Sequence, residues 1–370
     1  MNALTVELVI TEECNLGCTY CYMENKPTYM TPEMFTTFQQ TVGTVMSVYQ
    51  KEKYSVSFFG GEPLLNWDLI KFAVPRLKAD PRCDFSVVIT NGLLLDTEKF
   101  TWLKENGCGV SLSFDGLWNN VSRPLKQGSP SLPSYMNKLE FFRRVGLNGC
   151  KVMVSPASLP TLVENFKFFI DECAFPCPDF ALVRDDIWSW EDVDLFKDKI
   201  VDLAEETIIR FEAGSANMPG FFSLMLADIF IGATNGKRPM GCFAGCSGVG
   251  FLPNGIYYPC ARFGSEKSFP LLDTTTEHLY LENIDELKKP TFCNPKAYKS
   301  CVGCDIRLYC NGGCNKSFFK KGRNKQAEPI PQLCELFKTI FKETLRVHNR
   351  LKNMPLYKSY IQNLYYLQRS

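Results

Sequence analysis

Six short apolar runs, each followed by a longer run with helical spacing, fill the first half of the chain and a little more. The segments Leu4–Ile10, Ser55–Phe59, Phe85–Ile89, Gly109–Phe114, Lys151–Val154 and Phe180–Val183 read as strands. After the first strand Thr31 caps a helix with Pro32 at its first position and Phe35, Phe38, Val42, Val45 and Val48 along one face. Asp68–Leu77, Thr97–Asn106, Tyr135–Val145, Leu162–Asp171 and Asp194–Phe211 read as the helices that follow the other strands. Repeated strand–helix units demand a parallel sheet covered by helices. Six of them predict an α/β fold, a partial (β/α)6 TIM-like barrel, with functional groups in the loops at the C-terminal strand ends.

The pattern changes near residue 214. Gly214–Asn217 reads as a linker and Pro219–Ile231 as a bridging helix. From Gly241 to Cys334 periodicity fades while Cys, Gly and Pro rise, which predicts a small cysteine-rich domain stapled by bound metal. The expected divisions are a barrel over 1–213, a linker and helix over 214–240, a cysteine-rich domain over 241–345 and a helical tail over 346–370. With 41 Lys+Arg against 40 Asp+Glu, charge gives no reason to expect nucleic-acid binding. The most apolar segment, Met218–Thr234, is interrupted by Asp228, and no run has the length of a membrane span. The N-terminus lacks the pattern of a signal peptide, so a cytoplasmic, reducing setting is expected. There, 17 cysteines beside only two histidines point to metal ligands rather than disulfides.

The first cysteine group is Cys14, Cys18 and Cys21, in the loop that leaves the first strand. Three thiolates can hold three irons of a 4Fe–4S cluster and leave the fourth open; a zinc or disulfide cluster completed from elsewhere has the same local spacing. This CxxxCxxC, with an aromatic residue before its last Cys, resembles the radical S-adenosylmethionine (radical SAM) enzymes. Gly60-Gly61-Glu62-Pro63 after the second strand is similar to that family's GGEP motif, and Thr90-Asn91-Gly92 follows the third strand. Ser113-Phe114-Asp115-Gly116 resembles its Ser-x-Asp-Gly segment, and Arg123 lies where an Arg often follows. The resemblance implies that Cys14, Cys18 and Cys21 bind the catalytic cluster. It implies that Glu62, Ser113 and Arg123 hold SAM, and that Gly60, Gly61 and Asn91 shape its pocket.

A second cysteine field runs Cys242-x3-Cys246, Gly255-x4-Cys260, Cys301-x2-Cys304-x5-Cys310-x3-Cys314 and Cys334. Eight thiols suit two fully ligated 4Fe–4S clusters or two zinc sites. The spacing resembles the SPASM domain of radical SAM enzymes. That resemblance implies one auxiliary cluster on Cys242, Cys246, Cys260 and Cys314, and another on Cys301, Cys304, Cys310 and Cys334. Cys83, Cys108, Cys150, Cys173, Cys177 and Cys293 remain, mostly beside strands, as apolar core thiols.

Tyr258-Pro259-Cys260-Ala261-Arg262-Phe263 separates the related chemistries. Anaerobic sulfatase-maturing enzymes have an Asp, their proton acceptor, where Ala261 stands. The segment is closer to the Pro-Cys-His-Arg-Phe of peptide maturases, although Ala261 replaces their His. The resemblance therefore implies three 4Fe–4S clusters, SAM, an electron donor such as flavodoxin or ferredoxin, and oxidative modification of a peptide or protein side chain. The alternatives are small-molecule dehydrogenation and sulfatase-type formylglycine maturation, with a non-catalytic iron–sulfur or zinc scaffold ranked last. The short stretch before Cys14 leads to the expectation that no leader-binding domain precedes the barrel. Arg262 is expected either on a substrate carboxylate or backbone, or in a structural salt bridge. The basic, tyrosine-rich tail from Thr344 is expected to be a helix packed by its aromatic stripe.

Overall fold

A computed structural model of the chain describes residues 3–185, 187–235, 242, 244–245, 247–288, 299–307, 309–310, 314–318 and 329–367. Its sheet begins with β1 (Ala3–Thr11), β2 (Lys53–Gly60), β3 (Cys83–Thr90) and β4 (Cys108–Leu112), each parallel to the next. The parallel pair β5 (Lys151–Val154) and β6 (Asp179–Leu182) joins through a parallel bridge between Ser113 and Lys151. Six parallel strands thus curl into the partial barrel, and all carry their C-terminal ends at one mouth.

Outside lie α1 (Pro32–Val48), α2 (Trp67–Ala79) and α3 (Thr97–Glu105). The helix expected over Tyr135–Val145 is instead two short ones, α4 (Leu132–Met136) and α5 (Leu139–Arg144). The next, α6 (Leu162–Lys167), runs into a π-helical turn, Phe168–Glu172. α7 (Trp190–Glu212) starts earlier than expected because Ser189 and Asp192 form a reciprocal capping box. α8 (Gly220–Asn235) is the bridging helix.

The cysteine-rich region is joined to the barrel more closely than its fading periodicity suggested. β7 (Gly248–Phe251) pairs in parallel with the free edge of β1, and β8 (Ile256–Tyr258), β9 (Leu272–Asp273) and β10 (His278–Leu279) extend that edge antiparallel. Val249, Phe251, Tyr257 and Phe263 share one core with Leu4, Val6, Leu8 and the buried face of α1. A second core joins β5, β6 and α7 to α8 and to the C-terminal helices α9 (Pro331–Leu351) and α10 (Pro355–Leu367). In that core Tyr357 and Tyr360 each place a ring 5.5 Å from Phe211. Arg346 and Arg350 pair with Glu205 and Glu212 on α7, each at 2.9 Å. The tail expected as one helix is the end of α9 followed by α10, both packed on this core, with these two cations paired to acidic neighbours. Among the described residues no helix is long and apolar enough to cross a membrane.

At the end of the barrel away from the mouth, Asp80 closes the turn into β3. It accepts hydrogen bonds from the Arg82 backbone (2.9 Å), Arg82 Nε (3.0 Å) and Nη2 (2.8 Å), and Tyr54 Oη (2.9 Å). The Arg82 side chain chiefly holds its carboxyl down at about 2. Because the folded pKa is depressed, this stabilisation is present above the ordinary carboxylate range and is lost as pH falls toward 2. Asp80→Asn is expected to cost about 1–3 kcal/mol at neutral pH. In urea melts the gap between variant and parent should narrow below about pH 4; a gap independent of pH would contradict the assignment.

Candidate active site

Along β1, Leu4, Val6 and Leu8 are buried beneath the helices, while the alternate Thr5 and Glu7 face the barrel interior. Beyond Thr11 the chain enters the loop that carries Cys14, Cys18 and Cys21. Two hydrogen bonds hold the end of β2 against it: Gly61 N–H to Thr11 O (2.9 Å) and Glu62 N–H to Glu13 O (2.8 Å). A Cβ on Gly60, whose φ is +145°, would lie 2.1 Å from Thr11 O. One on Gly61 would lie 2.1 Å from Glu13 O and 2.9 Å from Cys14 N. The glycine pair therefore serves the approach of one backbone to another, rather than of backbone to ligand, and sets the Cys14 backbone beside Glu62.

The Glu62 side chain is fully buried. Its Oε1 accepts from Thr90 Oγ1 (2.7 Å) and Leu64 N (3.0 Å), and its Oε2 from Asn91 N (2.8 Å). Burial pushes the carboxyl up, against these three donors. Three bonds leave room for one further donor on a carboxylate. Asn91 continues the chain of contacts to the cysteine loop: its Nδ2 donates to Asn15 Oδ1 at 2.7 Å and stands 4.0 Å from Cys14 Sγ. Asn25, in a left-handed conformation (φ 54°), accepts from Cys14 N at 2.9 Å and donates to Leu16 O at 3.2 Å.

The three thiols are free; Cys14 and Cys18 are half-buried and Cys21 is exposed. Burial pushes Cys14 up to about 12 and Cys18 up to about 11, and each thiol feels the charge of its companions. Such thiols stay protonated at neutral pH unless a cation displaces the proton. Among the described residues no three Cys, His, Asp or Glu side chains close around a single ion. This donor set suits a polynuclear cluster, each thiolate on its own iron.

Ser113 lies half-buried at the end of β4, its N–H on Thr90 O at 2.8 Å. Arg123 is buried: its Nε stands 3.0 Å from Asp115 Oδ2 and its guanidinium 5.5 Å over the Tyr20 ring. Asp115, quoted in the sequence only as part of a motif, is the hub of this wall. Its Oδ2 accepts from Tyr20 Oη (2.6 Å) and Ser122 Oγ (2.8 Å), and its Oδ1 from Met153 N (2.9 Å). Asp115 and Arg123 thus clamp the cysteine loop to the strands opposite. The sequence motif does not show this hub, because its partners come from three separate places in the chain, Tyr20, Ser122-Arg123 and Met153.

The second cysteine field splits in space into two groups. Cys260 is half-buried, and burial of its thiol with the charges of Glu7, Cys242 and Cys314 pushes it well up. Cys242, Cys260 and Cys314 are the described members of the first proposed set; Cys246 lies outside the described residues. Gly250 makes the place for Cys260, because a Cβ there would lie 2.7 Å from the Cys260 carbonyl carbon and 2.6 Å from Ala261 N. The turn can therefore cross the inner face of β7, where Ala261 N–H donates to Glu7 Oε2 at 2.7 Å. Cys301, Cys304, Cys310 and Cys334 line one cavity of about 280 Å³ with Ile306 and Phe337. Burial pushes Cys334 up to about 11, and the other three thiols add to it. Of the remaining cysteines, Cys108, Cys150 and Cys173 are buried, Cys83 is half-buried and Cys177 is exposed; Cys293 lies outside the described residues.

The fold and its first loop define a parallel partial barrel that presents three free thiols at its mouth. Residues 8–157 match the radical SAM superfamily, and the chain carries a radical SAM domain. It is 24% identical over 369 residues to the radical SAM cyclopropyl synthase TigE of Paramaledivibacter caminithermalis, covering 94% of this chain and 75% of that one. It is 24% identical over 363 residues to the serine-type anaerobic sulfatase-maturating enzyme of Bacteroides thetaiotaomicron, covering 87% and 84%. Its fold matches solved structures of anSMEcpe. With bound AdoMet the TM-score is 0.75 at 19% identity, covering 98% of this chain and 99% of that one. With AdoMet and the Cp18Cys peptide it is 0.73 at 20% identity, covering 95% and 99%.

The close packing at Gly61 yields a test. Gly61→Ala should destabilise the protein by about 2–4 kcal/mol, because backbone cannot yield as a side chain does. It should also lower iron retention after anaerobic reconstitution. Gly149→Ala, whose methyl would meet nothing within 4 Å, is the control. Equal melting temperatures and iron contents for the two variants would refute the role given to the glycine pair.

Proposed function

We propose that this radical SAM enzyme modifies a peptide or protein side chain oxidatively, using three 4Fe–4S clusters. The carrying observation is that ten described cysteines fall into three groups: Cys14, Cys18 and Cys21 in the loop at the barrel mouth, Cys242, Cys260 and Cys314 beside Glu7, and Cys301, Cys304, Cys310 and Cys334 around one cavity. In this reading Cys14, Cys18 and Cys21 hold the catalytic cluster. Cys242, Cys246, Cys260 and Cys314 hold one auxiliary cluster, and Cys301, Cys304, Cys310 and Cys334 the other. A 4Fe–4S cluster bound by these three thiols would supply the electron for reductive cleavage of SAM.

The chain's own residues do the positioning. Glu62, locked by Thr90, Asn91 and Leu64, offers its remaining lone pair to the SAM ammonium group. Asn91 keeps that carboxylate in register with Cys14. Gly60 and Gly61 bring the two loops together, and Ser113 presents a hydroxyl from the end of β4. Arg123 contributes from behind, by holding Tyr20 and Asp115 in the wall of the pocket.

A peptide substrate is supported by the named activities of the similar proteins and by the peptide held in the matching anSMEcpe structure. Ala261 speaks against formylglycine formation by the sulfatase-type route, since a methyl group cannot accept a proton. The electrons come from a one-electron carrier such as flavodoxin or ferredoxin, in a cytoplasmic setting.

Intact mass of each short peptide encoded beside this gene, after anaerobic co-expression, tests the reading. Loss of a hydrogen pair from one of them is expected, and should vanish with Cys14→Ala/Cys18→Ala/Cys21→Ala. That variant should retain about two-thirds of the parent's iron. Unchanged peptides beside an altered small metabolite would replace the peptide reading with the dehydrogenase one.

A further inference from the structure

Arg262 touches three parts of the molecule that are distant in sequence. It lies two residues after Cys260, in the short helix Ala261–Ser265. Its Nη1 donates to Cys314 Sγ at 3.6 Å. Its Nη2 pairs with Asp185, in the loop after β6 at the barrel mouth. The guanidinium carbon stands 5.1 Å over the ring of Tyr22, the neighbour of Cys21. The side chain is 22% exposed, so water screens it poorly. Lys316, two residues after Cys314, is instead committed to Glu266 at 2.7 Å and lies 5.8 Å from the Phe263 ring centroid. Of the sequence's two choices for Arg262, the structure shows the ion pair, with Nη2 on Asp185 and an Nη1 N–H directed at a cysteine sulfur.

We propose that Arg262 is a positioning residue that sets the reduction potential of the auxiliary cluster on Cys314 by donating a fixed hydrogen bond to its thiolate. The proposal rests on the reading of Cys242, Cys246, Cys260 and Cys314 as cluster ligands. An N–H aimed at a ligating sulfur draws electron density from it and favours the reduced, more negative state. The guanidinium stays charged at every working pH, so the effect is permanent. Asp185 fixes the plane of the fork, so that one nitrogen faces the sulfur while the other is held at the barrel mouth. Arg262 thereby links the auxiliary metal to the wall of the reaction chamber.

The test is an EPR-monitored redox titration of the reconstituted chain in the Cys14→Ala/Cys18→Ala/Cys21→Ala background, where only the two auxiliary centres contribute. Arg262→Met should move one of the two midpoints to lower potential and leave the other in place. Arg262→Gln, which keeps an N–H donor without the charge, should fall between. Neither midpoint moving, or both moving together, would overturn the proposal. If Arg262→Met fails to load iron, Arg262→Lys carries the test. It keeps the charge but cannot bridge Asp185 and Cys314 as a fork, so its midpoint should still fall. Failure of the Lys variant to load as well would show a purely structural role and overturn the proposal. Fewer than two auxiliary centres in the Arg262-containing parent would instead defeat the metal reading on which it rests.

Discussion

The ends of β1 and β2 meet with no side chain between them, and the site is built on that contact. The N–H groups of Gly61 and Glu62 reach the carbonyls of Thr11 and Glu13, and a methyl on either glycine would enter those oxygens. This registers two loops that bring different chemistry, thiols on one and a buried carboxylate on the other. Asn91, from the end of β3, then spans both. Each contact is an ordinary hydrogen bond worth about 1 kcal/mol net. Their shared consequence is that Cys14 and Glu62 keep their relation whenever the sheet is formed.

A second glycine gives the cysteine-rich region its place. Gly250 lets the Cys260–Ala261 backbone cross the inner face of the sheet, and β7 fuses with the free edge of β1. The region thus shares its apolar core with the first half of the barrel, while α9 and α10 close over the second half. Cys260 and Cys314 therefore stand close to the barrel wall, and Arg262 can touch Cys314, Asp185 and the ring of Tyr22 together.

Much of this was legible in the sequence because strand and helix periods are local properties. The strands from Leu4 to Val183 lie where alternation and apolar runs placed them, and Thr31 and Pro32 begin α1 as their chemistry requires. β7 was not legible: Gly-Val-Gly-Phe is short and glycine-rich, and it becomes a strand because β1 offers it an edge. Cysteine spacing marked the first thiol group, and the resemblance to the SPASM domain divided the other thiols into two expected sets, but neither disclosed the clamp around the first group. Asp115 gathers Tyr20, Ser122, Arg123 and Met153, and only the closed fold brings those together. The glycines of the Gly60-Gly61 motif were recognisable, yet their reason was not, since the neighbour they accommodate lies 48 or 49 residues earlier in the chain.

The central claim is that the thiols at the barrel mouth, with Glu62 beside them, form the place where SAM is cleaved. The most direct measurement is 5′-deoxyadenosine and methionine released from SAM by the anaerobically reconstituted protein under a strong one-electron reductant. The account predicts both products from the parent chain and neither from a chain lacking Cys14, Cys18 and Cys21 but still holding its auxiliary iron. Cleavage that persists in that variant would contradict it and move the reactive centre elsewhere in the molecule.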